Sequence, residues 1–139
     1  MPFNNPFDRG TWTPTVLGGA GVNKGHTYTL QNGVWTRLGN LVFAHCQVII
    51  NALGTIDGSV VVIGGLPFPV RTDANYRPVG TPRWSSVTFT GIPAATAVQG
   101  TSYVSMLTFA TGAASANLVD SGLLAGSSFS LALAYETDL

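Results

Sequence analysis

Leu41-Val42-Phe43-Ala44-His45-Cys46-Gln47-Val48-Ile49-Ile50-Asn51 decides the fold class. In an extended strand, alternate side chains point to opposite faces, so a period of two reads as a strand. The even positions, Val42, Ala44, Cys46, Val48 and Ile50, are all apolar and must face a core. The odd positions, Leu41, Phe43, His45, Gln47 and Ile49, are mixed, which suits a second face covered by protein and not by water. Phe129–Tyr135 repeats the pattern. Phe129, Leu131, Leu133 and Tyr135 make one face, while Ser130, Ala132 and Ala134 make a flat one that permits close approach. Phe43, His45, Gln47, Ile49, Ala132 and Ala134 are therefore the candidate subunit-interface residues.

Working outward, further strands are expected at Thr11–Val16, His26–Leu30, Val34–Leu38, Ser59–Ile63, Trp84–Thr90, Thr101–Phe109 and Ala116–Val119. Asn32-Gly33 and Asp57-Gly58 carry hairpin chemistry, and Gly39-Asn40 should make another tight turn. Ala94–Val98 and Ala113–Ala116 read as loop, and no helix longer than a turn or two is expected. About nine short strands without a βαβ pattern predict an all-β, antiparallel, jelly-roll-like β-sandwich over residues 11–139. Residues 1–10, with two prolines and with Phe3 and Phe7 alternating with polar residues, read as an extended docking arm. Phe3, Phe7 and Arg9 are its candidate contacts.

Composition narrows the function. Charged residues make up 9% of the 139 and hydrophobic ones 45%, with mean hydropathy +0.31. A soluble domain usually carries roughly 25% charged residues. Polar residues and glycine or proline interrupt the long uncharged stretches, which excludes a membrane helix. The missing charge thus points to surface buried by oligomerisation, since interface cores are depleted in charge. Zero net charge without a basic run argues against nucleic acid. The single Cys46 makes no internal disulfide, and Met1–Gly10 has no secretory core.

Catalytic chemistry is not in evidence. His45 and Cys46 are adjacent on one strand and so face opposite ways, which excludes a Cys–His pair. Two separate histidines and one cysteine make no zinc site. G-x-S-x-G and the phosphate loop are absent, and Gly18-Gly19-Ala20-Gly21 leads into a strand and not a helix. The acids Asp8, Asp57, Asp73, Asp120, Glu136 and Asp138 put no pair on a common strand face. Asp73-Ala74-Asn75 lacks the remaining ligands of a calcium loop. The chain reads as a non-enzyme with no cofactor and no metal.

One segment concentrates what is scarce elsewhere. Arg71–Trp84 holds three of the six basic residues, Arg71, Arg77 and Arg83, together with Asp73, Asn75, Tyr76 and Trp84. Such a mixture suits a ligand or partner loop; it equally suits a solvated loop or a rim of salt bridges.

Gly10-Thr11-Trp12-Thr13-Pro14-Thr15, then Tyr28-Thr29 through Gly33-Val34-Trp35-Thr36-Arg37-Leu38-Gly39-Asn40-Leu41-Val42-Phe43, then Gly65-Leu66-Pro67-Phe68 and terminal Tyr135-Glu136-Thr137 occur in that order. Together they resemble the distal domain of bacteriophage tail fibres and tailspikes, over nearly the whole chain from Gly10. The resemblance implies a homotrimer on the virion surface, made in the bacterial host cytoplasm. It also implies contacts with other virion proteins and with host-surface polysaccharide. In that family a long shaft or large domain precedes this one, whereas here the motif begins nine residues after Met1. That leaves a fragment of a longer fibre, or a small protein held to the particle by its arm. Two functions are expected: a receptor-binding tail tip, or a capsid decoration protein whose trimers clamp neighbouring capsid subunits through residues 1–10.

Overall fold

A computed structural model describes residues 7–110, 112 and 114–139. Its strands are β1 (Phe7–Trp12), β2 (Thr15–Gly18), β3 (Val22–Asn23), β4 (Thr27–Leu38), β5 (Leu41–Ala52), β6 (Val61–Gly64), β7 (Val79–Val87), β8 (Ile92–Ala97), β9 (Tyr103–Phe109), β10 (Ala116–Asn117) and β11 (Leu123–Glu136). The described helical residues form one 3-10 turn, Asp120–Gly122. The strands form one antiparallel sheet in the order β1-β4-β5-β11-β7-β8-β9-β6-β2-β3, with β10 beside β9.

This sheet is a β-sandwich folded at a single corner. Strands β7 and β8 pair only at Val79–Thr96 and Gly80–Ala95. On one side of that corner lie β1, β4, β5, β11 and β7; on the other lie β8, β9, β6, β2, β3 and β10. Their inner faces share one core. Val42, Val48, Ile50, Phe129, Leu131 and Tyr135 from the first half meet Val16, Val61, Ile63, Ala97, Val104 and Met106 from the second. The even positions of β5 from Val42 to Ile50 are all buried, as their period predicts.

Several local expectations are overturned. Asn32-Gly33 makes no hairpin: β4 runs straight through it, with Asn32 opposite Gln47 and Gly33 opposite Cys46. The glycine serves a different need. A Cβ on Gly33 would stand 2.7 Å from the Trp12 indole, and one on Gly10 would stand 2.8 Å from the Trp35 indole. Gly33 and Trp12 are register partners, as are Gly10 and Trp35, so each bare Cα makes room for the ring opposite. Gly39-Asn40 does form the β4–β5 turn, with Gly39 at φ 58° in the left-handed region.

Asp57-Gly58 is a bend in the connection crossing between the two halves, because β6 pairs with β2 and β9 and not with β5. The expected strand at Thr11–Val16 breaks at Thr13-Pro14, and that at Trp84–Thr90 begins earlier, at Val79. Ala94–Val98 lies largely in β8, where ladders to β9 and β7 outweigh the weak strand preference of alanine. Gly19–Gly21 turns between β2 and β3. Phe7–Gly10 pairs with Leu38–Trp35 at the sheet edge; the rest of the expected arm, including Phe3, lies outside the described residues.

Candidate functional site

The outer face of the five strands β1, β4, β5, β11 and β7 gathers the most distinctive chemistry. Register decides its membership. Phe43 lies between Thr36 and Ala134, His45 between Val34 and Ala132, and Gln47 between Asn32 and Ser130. Beyond β11, Thr81 stands opposite Ala132 and Arg83 opposite Ser130. Beyond β4, Thr11 stands opposite Val34 and Arg9 opposite Thr36.

The centre of this face mixes apolar with small and polar side chains and carries no Asp, Glu, Lys or Arg. Phe43 is 50% exposed and Val79 75%, and Val34 and Leu38 are also open to solvent. Formal charge stays at the border: Arg9 on the edge strand, Arg83 on β7, and Glu136 at the end of β11. Five strands at about 4.8 Å spacing, with some eight residues of length, make roughly 500 Å² of sheet.

The relief follows from side-chain size. Ala132 and Ala134 floor a groove of about 420 Å³ walled by Phe43 and His45 on one side and Val79 and Thr81 on the other. A second hollow of about 300 Å³ lies beside it, lined by Asn32, Val34, His45, Gln47 and Ser130. Toward Arg83 the lining turns polar, through Gln47, Ser85, Ser128 and Ser130. Ridges, small-residue floors and absent charge suit a packed protein partner better than a charged small molecule.

The six candidate interface residues are thus brought onto one face, with Ile49 at its half-buried end. Cys46, adjacent to His45, points inward; burial pushes its thiol up to about 12, against a smaller opposing effect of its hydrogen bond with Leu131.

The Arg71–Trp84 segment does not form one loop. Residues 79–84 belong to β7. Arg83 faces outward, whereas Trp84 is opposite buried Phe129 and meets Phe129 and Phe89 edge-on, at 6.1 and 6.4 Å between ring centroids. Arg71 pairs with both Asp73 and Glu136, and the Tyr76 hydroxyl accepts the Glu136 amide at 2.7 Å. Both aromatic rings therefore pack against the core. Asp73, Asn75 and Arg77 remain exposed, with Asn75 at φ 66°.

These contacts belong to a clasp around the C-terminal strand end that sequence order alone does not reveal. Tyr135 donates its hydroxyl to the Phe68 carbonyl at 2.9 Å, and Thr72 donates its amide and hydroxyl to Asp138 at 3.0 and 2.7 Å. The hydroxyl and amide of Thr72 hold the Asp138 carboxyl below its ordinary range. Arg37 reaches the Leu139 carbonyl and lies 4.7 Å from the Phe68 ring centroid. Carboxylates in this clasp are bound to partners within the chain, and among the described residues no cluster of three or more His, Cys, Asp or Glu could hold a metal ion.

No family model and no curated protein matches the sequence. Among solved structures, the chain is similar to the Dettilon tailspike protein (gp208), with a TM-score of 0.69 and 19% identity over 94% of this chain. The chain spans 24% of that protein's length, and at this identity the likeness is one of fold.

Proposed function

We propose that the chain is a non-enzymatic phage virion-surface protein, a tail fibre or tailspike module that works as a homotrimer. The observation that carries this reading is the nearly uncharged outer face centred on Phe43, His45, Ala132 and Ala134. Exposed sheet of that size and composition is stabilised by a protein partner, and a second copy brings matching ridges and small-residue floors. The fold likeness to a tailspike supplies the virion context. In this reading host polysaccharide meets the exposed tip residues Asp73, Asn75 and Arg77, which stand clear of the core.

The test combines mass with position. Light scattering on the purified protein should return the mass of three chains, and immunogold labelling of particles should mark the tail. A single-chain mass at micromolar concentration would overturn the trimer. Label spread over the head would overturn the tail assignment in favour of capsid decoration.

A further inference from the structure

The connection between β5 and β6 crosses from one half of the sandwich to the other, and two separate segments, residues 24–26 and Asp120, hold it down. Gly54 donates its amide to His26 Nδ1 at 2.9 Å, and Thr55 donates to the Lys24 carbonyl at 2.7 Å. Lys24 Nζ bonds Asp57 at 2.8 Å. The buried Asp120 carboxylate accepts the amides of Asp57 at 3.2 Å and Gly58 at 2.8 Å. The fit is close: a Cβ on Gly54 would stand 1.9 Å from the Lys24 oxygen.

One of these bonds depends on a proton being absent. An imidazole nitrogen accepts an N–H only through its lone pair, so His26 is held neutral with its proton on Nε2. Protonating Nδ1 would set two donors against each other at 2.9 Å. We propose that protonation of His26 releases the 53–58 strap while the sandwich stays folded. The strands on either side do not depend on this ring, because β5 is laddered to β4 and β11, and β6 to β2 and β9.

Charges around the ring act in both directions. Burial lowers the His26 pKa most, the Asp120 carboxylate opposes that, and Lys24 adds to it; Asp57 faces Lys24. With the folded pKa below the unfolded one, the neutral ring's contribution is complete above about 6.5 and is lost as pH falls from there through the folded value.

Amide hydrogen exchange between pH 7.5 and 5.0, corrected for intrinsic rates, tests this in the intact chain. Protection at Gly54 and Thr55 should fall by up to about tenfold per pH unit below about 6.5, while Val48 and Ile50 keep theirs. Protection that is independent of pH, or that falls in step with Val48, would overturn the proposal. His26→Asn keeps an acceptor that does not titrate and should flatten the profile; a retained slope would count against it. Should that variant not fold, the His26 ring nitrogens of the natural chain can be titrated by NMR. Their midpoint must coincide with the loss of protection, and a mismatch overturns the proposal.

Discussion

The indole of Trp12 lies against the bare Cα of Gly33 on the neighbouring strand, and its Nε1 donates to the Val34 carbonyl at 3.2 Å. The mirror pair, Trp35 against Gly10, sits two residues along the same ladder. Any side chain at Gly33 must displace a buried ring or the backbone beneath it. Gly33→Ala should therefore cost about 1–3 kcal/mol, the range for overpacking. Urea denaturation with a concentration series checks this, and an unchanged midpoint would show that the ring is free to move.

Tyr135 is buried, yet its hydroxyl serves both polar groups of Phe68: it donates to the carbonyl at 2.9 Å and accepts the amide at 3.4 Å. Tyr135→Phe keeps the ring and strands those groups. A loss of about 1–3 kcal/mol is expected by chemical denaturation, because an unsatisfied buried group costs more than an average hydrogen bond contributes. The hydroxyl's pKa is raised to about 12, chiefly by burial, so absorbance titration should leave Tyr135 protonated at pH 10.5 in the folded protein.

Cys46 points into the core with its thiol pushed up to about 12. Only thiolate reacts quickly with disulfide reagents. At pH 8 the folded protein should react slowly with such a reagent and the guanidinium-unfolded chain promptly, with a stoichiometry of one thiol. Equal rates would place Cys46 on an accessible surface.

Ala132→Glu and Gln47→Lys each put a charge at the centre of the outer face, Ala132 opposite His45 and Gln47 opposite Ser130. Both positions are exposed in a single chain, so folding should persist with a near-normal circular dichroism spectrum. Assembly should not, because burying an unpaired charge costs several kcal/mol. Light scattering should show a shift toward single chains, and an unaltered oligomer would remove this face from the subunit contact.

Periodicity made the centre of the fold readable. The even positions of Leu41–Asn51 and the odd positions of Phe129–Tyr135 are buried because a strand's faces alternate regardless of what it pairs with. Asn32-Gly33 misled because the same dipeptide serves a turn or a close approach, and Trp12, twenty-one residues away, selects the second. Ala94–Val98 misled because small residues carry little strand signal until two neighbours pair with them. Arg71–Trp84 looked like one unit in the chain. It divides because Trp84 packs on Phe129 while Arg71 turns to Glu136.

By itself, the sequence determined the all-β class, the two central strands with their inner and outer faces, the Gly39-Asn40 turn and the shortage of charge. All four follow from local alternation, local turn geometry or composition. Only the tertiary structure decided which strands are neighbours and hence what the outer face contains. It alone set Ala132 beside His45, Trp12 over Gly33 and His26 beneath Gly54. Those partners are distant in the chain, and which of them meet depends on the ladders and the core that the whole fold satisfies at once.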